Sequence, residues 1–337
     1  MKQEELKALI NTATLKGEPL ETAYEETHIS WVVFSKSYAL KIKKPLRLSF
    51  LDFSSLELRK KYCELEFKLN KRFSSIYLAV VALREEKGLW SIGGRRGPIK
   101  EYAVLMERLN TSLRMDKMLK AKEVNSAHIQ ALAQEIAAFH QQAAVVREPF
   151  DLDKSKSLFN DIATVKDCIA AWMGGSEADF IQHTIHWSDS FLASFQDHIQ
   201  RRINRGCQRD LHGDLHAGNI FLYQKPVLFD CIEFDASFRQ IDLLYELAFL
   251  CMELEIEGYE DFAAEFMLFY QELLPVIGEP EDLPLFLYYK CLRANIRSKI
   301  TALSVKEQAG APSPAGLHKI GSYLKLMAKY IQQVGDL

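Results

Sequence analysis

The stretch that most constrains this chain is His212-Gly213-Asp214-Leu215-His216-Ala217-Gly218-Asn219, followed eleven residues later by Asp230. A phosphoryl-transfer loop of the kinase type needs an Asp to orient a substrate hydroxyl and accept its proton. It needs an Asn five residues on to hold a metal, and a second Asp to bridge metal and phosphates. Asp214, Asn219 and Asp230 have that order and spacing. The local pattern fits: Ile220 to Tyr223 is a short apolar strand, Gln224-Lys225-Pro226 a turn, and Val227-Leu228-Phe229 a return strand ending at Asp230. A hairpin brings Asn219 and Asp230 to the same end, within reach of one ion. Two hard oxygen ligands suit Mg²⁺, which keeps waters and takes its other ligands from nucleotide phosphates.

The loop resembles that of the aminoglycoside phosphotransferase superfamily, whose members share the protein-kinase-like fold and carry His-Gly-Asp-Leu-His-x-x-Asn where protein kinases carry His-Arg-Asp. The resemblance is narrower to an uncharacterised bacterial branch of that superfamily. It rests on Glu26-Thr27-His28-Ile29-Ser30-Trp31-Val32, on Tyr38 to Pro45 with Leu51-Asp52-Phe53, and on Arg293 to Lys299. It runs from about residue 20 to about residue 305. It implies an α+β, two-lobed protein-kinase-like fold. Members of that branch are often fused to a C-terminal ATP-binding domain with a phosphate-binding loop; no Gly-x-x-x-x-Gly-Lys-Ser/Thr occurs in this sequence.

Texture divides the chain near residue 110, into a β-rich segment 1–109 and a helical segment 110–337 that carries the catalytic loop. In the first, Trp31 to Phe34 and Tyr38 to Ile42 read as a hairpin around Ser35-Lys36-Ser37. Gly93 to Pro98 reads as a turn between Leu89 to Ile92 and Tyr102 to Met106. In the second, helical periodicity covers Ile129 to Ala144, Trp187 to Ile203, Ile241 to Leu254, Tyr259 to Leu274 and Leu285 to Leu303. The catalytic hairpin is the only clear strand pair there.

The β-rich segment should supply a lysine for nucleotide phosphates. Kinases set Ala and Lys two apart on one strand, Ala roofing the base and Lys reaching the phosphates. Ala39 and Lys41 have that spacing. Strand alternation puts Lys43 on the same face, as the second choice. A helix Glu usually holds such a lysine. Ser54 with Glu57 reads as a capping box, and Leu58, Tyr62, Leu65, Leu69 and Phe73 as the apolar stripe of the helix it opens. Glu66 then lies about 60° from the stripe's centre and Glu64 about 140° away, so Glu66 is the expected partner. In kinase-like folds the link between lobes binds adenine through one carbonyl and one N–H two residues later, which assigns those roles to Glu107 and Leu109. No Gly-x-Gly-x-x-Gly precedes the lysine strand; Thr27 to Ser30 stands where that cover belongs, with backbone N–H groups and the Ser30 or Thr27 hydroxyl in place of glycine-loop contacts.

The remaining polar residues read as support. His212 and His216 have metal-ligand spacing for a helix, but the resemblance puts them on a loop, where His212 braces by hydrogen bonds. Asp242, before an apolar helix, caps or braces. Arg293 and Arg297 share a helix face; they either read a phosphate or carboxylate on the acceptor or pair with the acidic run Glu253 to Glu257.

Net charge is −3, with 48% hydrophobic residues, so there is no global basic field for nucleic acid or membrane. Cys63, Cys168, Cys207, Cys231, Cys251 and Cys291 form no C-x-x-C, which points to a reducing compartment. With no signal-type leader and no bilayer-length apolar run, a cytoplasmic location is expected. The reading is Mg²⁺-dependent transfer of the γ-phosphoryl group of ATP, or GTP, to a small-molecule hydroxyl. The alternatives are a protein Ser/Thr/Tyr kinase and a nucleotide-binding regulator without turnover.

Overall fold

The computed structural model describes residues 1–48, 51–307 and 311–335. The chain separates into two compact units. One comprises Met1–Val124, His212–Asp214 and Gly218–Arg239, the other Asn125–Leu211, Leu215–Ala217 and Gln240–Leu337. The sheet-bearing unit thus runs past residue 110 and takes in the hairpin between Asn219 and Asp230, which the change of texture had grouped with the helices.

The first unit is built on a six-stranded antiparallel sheet. Its order is Tyr24–Glu26, Ser30–Phe34, Tyr38–Lys43, Ile99–Glu107, Tyr77–Glu86 and Leu89–Ile92. The expected first hairpin is there, Trp31 opposite Ile42 and Phe34 opposite Ala39. The second turn joins strands that do not pair with each other: Leu89–Ile92 and Ile99–Glu107 both pair with Tyr77–Glu86. Alternation divides the lysine strand between two cores. Leu40 and Ile42 pack with Val33, Ala103 and Leu105 and with Leu6 and Leu9 of the N-terminal helix Gln3–Thr12. Ala39 points the other way, into a cluster with Cys63, Tyr77, Val104 and Met106.

Helix Leu56–Asn70 corrects two expectations. Its cap is Ser55, whose hydroxyl accepts from the Leu58 amide at 3.2 Å. Ser54 is drawn off by Asp52, to which it donates its amide (2.9 Å) and hydroxyl (2.5 Å), an Asx-type turn that moves the helix start by one residue. Its phase also differs. The buried face is Arg59, Cys63, Glu66, Leu69 and Asn70, because that face meets polar groups: Arg59 pairs with buried Glu101 at 2.8 Å. Glu66 therefore sits on the buried face itself, not on its flank. Glu64 is exposed and lies 3.7 Å from Lys60.

The second unit is helical, with Ser126–Gln142, Leu152–Asn160, Lys166–Met173, Gly175–Asn204, Leu243–Ile256, Glu260–Leu273, Asp282–Glu307 and Pro314–Gly335. It adds a strand pair that periodicity did not reveal, Gln208–Asp210 against Gln240–Asp242. Its core gathers Phe159, Phe191, Tyr288, Cys291, Tyr323, Met327 and Tyr330. Among the described residues no helix is long and apolar enough to cross a membrane.

Candidate active site

The hairpin is short: Ile220–Phe221 pairs with Val227–Leu228, Ile220 opposite Leu228. At its open end the Phe229 amide donates to the Asn219 carbonyl at 3.2 Å, so Asn219 and the residue after Phe229, Asp230, flank one point. The Asn219 amide nitrogen donates to Asp214 twice, to the backbone oxygen at 3.0 Å and to Oδ2 at 3.1 Å. This fixes the Asp214 carboxylate and turns the Asn219 carbonyl oxygen away from it.

His212 is fully buried. Its Nδ1 accepts from the Asp214 amide at 3.3 Å and its Nε2 lies 2.9 Å from the Phe229 oxygen. That pair of partners assigns the Nε2–H tautomer. Phe73 packs edge-on at 5.1 Å. Gly213 is required here by geometry. Its φ is +85°, and a β-carbon would stand 2.7 Å from the Phe238 oxygen.

Asp230 has a left-handed backbone, φ 64°, which Asp tolerates better than most residues. The Tyr77 hydroxyl accepts its amide at 3.0 Å, and Asn70 Oδ1 accepts the next amide, of Cys231, at 2.9 Å. Its side chain is 41% exposed and meets Lys41 Nζ at 2.5 Å. Lys41 also pairs with Glu66 Oε1 at 2.9 Å, and Lys43 with Glu66 Oε2 at 2.6 Å. Lys43 further donates to Glu233, which sequence reasoning missed; the spacing Asp230-x-x-Glu233 opposite Lys41-x-Lys43 is the signal that was there to find. Burial alone would raise the Glu66 carboxyl, but the two lysines outweigh it and hold the group down at about 2. Burial would lower Lys41, yet Asp230 and Glu66 keep it above its ordinary value. Glu233 is pushed up, chiefly by burial, against the pull of Lys43.

Leu109 is half-buried against the cluster of Ala39, Tyr77, Met106, Val227 and Phe229, an apolar lining of the kind a flat base requires. The amides of Glu107, Arg108 and Asn110 donate to Ile76 O, Ser37 O and the Tyr223 hydroxyl. Ser30 is placed differently from its expected role. It is 1% exposed, its amide donates to Thr27 Oγ1 at 2.9 Å, and the two hydroxyls lie 2.9 Å apart. The Thr27–Ser30 turn thus directs these donors to itself.

The supporting residues of the second unit form separate groups. Asp242 caps helix Leu243–Ile256 through the Leu244 amide (2.7 Å) and is gripped by Arg202 through two bonds of 2.8 Å. Arg202, unnoticed in the sequence, also holds Asp282 at 2.5 Å. Arg293 is buried with its guanidinium 4.0 Å from the Tyr245 ring and 4.6 Å from Phe249. Arg297 lies 3.8 Å from Glu253, which also accepts the Ala217 amide at 2.9 Å and stands 3.7 Å from His216.

The donor set fits a hard divalent cation: one carboxylate, partly exposed, and one amide oxygen oriented by its own nitrogen's bonds. Asn219 and Asp230 are the residues that would hold it.

These features define a fold class, the protein-kinase-like fold carried by small-molecule kinases. The chain superposes on a choline kinase of Cryptosporidium parvum with a TM-score of 0.55 at 12% identity, covering 93% of this chain and 90% of that one. It superposes on the GDP complex of aminoglycoside 2'-phosphotransferase-IIIa with a TM-score of 0.52 at 14% identity, covering 94% and 93%. In sequence, it is 30% identical over 296 residues to uncharacterised proteins of Mycobacterium tuberculosis and Mycobacterium bovis. The match takes in 86% of this chain but only 56% of those relatives' length. No protein-family profile matches.

Proposed function

We propose that this protein transfers the γ-phosphoryl group of a nucleoside triphosphate, ATP or alternatively GTP, to a hydroxyl group of a small molecule. One observation carries the reading: an unbroken set of contacts within one unit runs from Asp214 through Asn219 and the hairpin end to Asp230, Lys41 and Glu66. Asp214 orients the acceptor hydroxyl and takes its proton as the oxygen attacks the γ-phosphorus and the bond to the β–γ bridging oxygen breaks. Lys41, held by Glu66, turns to the phosphates. Asn219 Oδ1 and Asp230 would hold Mg²⁺, which would supply neutralisation of phosphate charge. The base stacks against Ala39, Leu109 and Phe229, with the Glu107 carbonyl and Leu109 amide reading its edge.

Three considerations favour a small acceptor. The solved kinases with this fold act, by their names, on choline and aminoglycosides. The helical segment between residues 150 and 205 is of the kind that walls in a small molecule. Two of the acids that a polycationic antibiotic would seek have cations already: Glu253 has Arg297, and Glu255 has Lys290 at 2.6 Å. An anionic group on the acceptor, taking the place of Glu253 at Arg297, is the alternative partner for this pair of arginines. Incubation of the protein with a polar metabolite pool, nucleotide and Mg²⁺, read by mass spectrometry, should yield a product heavier by one phosphoryl group that is lost in Asp214→Asn. Label appearing only on added protein would replace this reading by a protein kinase; nucleotide binding without any product would replace it by a regulator.

A further inference from the structure

Two lysines and two acids form a closed ring with Glu66. Lys41 and Lys43 leave one face of their strand two residues apart, and Asp230 and Glu233 stand three apart on the segment after the hairpin. Lys41 meets Asp230, Lys43 meets Glu233, and Glu66 gives one oxygen to each lysine. The backbone of Cys231 and Ile232 completes the circuit.

The ring has a wet end and a dry end. The Asp230 side chain is 41% exposed and Lys41 10%, whereas Lys43, Glu66 and Glu233 are at 1%, 0% and 4%. A metal–nucleotide complex needs both partners of the wet link, Asp230 for metal and Lys41 for phosphate, so that link must open. The dry link has no such demand on it, and breaking a buried pair leaves an uncompensated charge.

We propose that Glu233, through Lys43, is a positioning residue. It anchors the Asp230 segment to the lysine strand while the Lys41–Asp230 link is exchanged for metal and phosphate. This rests on the phosphotransfer reading. Without the anchor, the distance between Asp230 and the strand depends on the very contact that the ligand removes. The left-handed backbone at Asp230 then keeps the Tyr77 hydroxyl, and Cys231 the Asn70 and Arg72 side chains, but none of these contacts comes from the lysine strand itself.

The test is Mn²⁺ affinity in the presence of a saturating non-hydrolysable ATP analogue, measured for the unmodified protein, Glu233→Gln and Glu233→Asp. Aspartate keeps the charge but shortens the reach, which separates tether from field. Both variants should bind Mn²⁺ about tenfold more weakly or worse, as for other residues that support a metal ligand. Both should bind the metal-free analogue within about threefold of the unmodified protein, because Lys41 and Glu66 remain. Normal Mn²⁺ affinity in Glu233→Asp alone reduces Glu233 to a distant charge and overturns the proposal; normal affinity in both removes Glu233 altogether. Should the variants fail to fold, hydrogen exchange on the unmodified protein decides. The Cys231 and Ile232 amides, bonded to Asn70 and the His212 carbonyl, should keep their protection when Mn²⁺ and analogue are added, and loss of protection there overturns the anchor. A protein that binds Mn²⁺ and analogue but transfers nothing refutes the phosphotransfer reading and leaves the anchor standing. One that binds neither refutes both.

Discussion

Two pairs of cations, one on a strand and one on a helix, are held in opposite ways. Lys41 and Lys43, two apart on a strand, share one buried carboxylate and take a second each from the segment that follows the hairpin. Arg293 rests on the faces of Tyr245 and Phe249, and Arg297, four residues on along the helix, lies 5.8 Å from Phe249 and 3.8 Å from Glu253. The lysines are point charges whose positions are dictated by surrounding acids. The arginines are planar groups packed against rings. Under the proposed function the strand pair is the candidate for nucleotide phosphate and the helix pair the candidate for the acceptor.

The largest effect should come from neither pair. Asp214→Asn is expected to lower kcat by about 10²–10⁴-fold, the usual worth of a general base, with nucleotide affinity within about twofold because Asp214 faces the acceptor. If its kcat is instead near normal with an identified acceptor, the loop has no base at this position and the comparison loses its reference point.

Next, Arg297→Gln should raise the acceptor KM about tenfold, the loss of one charge-assisted hydrogen bond. Its Tm should move by no more than about 2 °C, since a partly exposed ion pair at that distance adds little. Arg293→Gln should raise KM and also lower Tm by about 2–4 °C, from lost ring contacts of order 1 kcal/mol. Normal acceptor kinetics with reduced stability in both would make the arginines structural, like the lysines' buried acids.

Within the lysine ring, a double-mutant cycle on the catalytic step should give non-additivity of about 1 kcal/mol or more for Lys41 with Glu66, and close to none for Lys41 with Glu64. The reverse outcome would remove Glu66 from the phosphate site. The smallest expected effect is one of pH. The Glu66 carboxyl stays ionised in the folded protein down to about 2, whereas the unfolded chain takes up its proton near the ordinary value of 4.5. The stabilisation from this depressed group is therefore complete above about 4.5 and fades as pH falls towards 2. The difference in unfolding free energy between the unmodified protein and Glu66→Gln should be flat from pH 7 to about 5 and shrink below it.

Motif and alternation made the hairpin and the face of Ala39, Lys41 and Lys43 legible in the sequence. Both are local rules, a strand–turn–strand pattern and a period of two. Glu233 was missed because its partner lies 190 residues away; its only mark in the sequence is the spacing Asp230-x-x-Glu233 opposite Lys41-x-Lys43. The helix of Glu66 was misphased for a related reason. Hydrophobic patterning assumes that the buried face is apolar, and here it carries Arg59, Glu66 and Asn70, each with a distant partner. The Gly93–Pro98 link imitates a hairpin turn, but the strand that both its flanks pair with precedes them. Arg202 escaped notice because Asp242 and Asp282, its two acids, are 40 and 80 positions distant.

The glycine in the catalytic loop bears on how such a protein is switched on. Enzymes that wait for a phosphorylated segment read it with arginines, whose forked guanidinium grips the new dianion. Position 213, where protein kinases carry arginine, is closed to any side chain by the Phe238 oxygen and by its own backbone. An arginine of that design has no room at this position. The Asp214 peptide is instead set by the His212 ring and the Asn219 amide, contacts built into the chain itself.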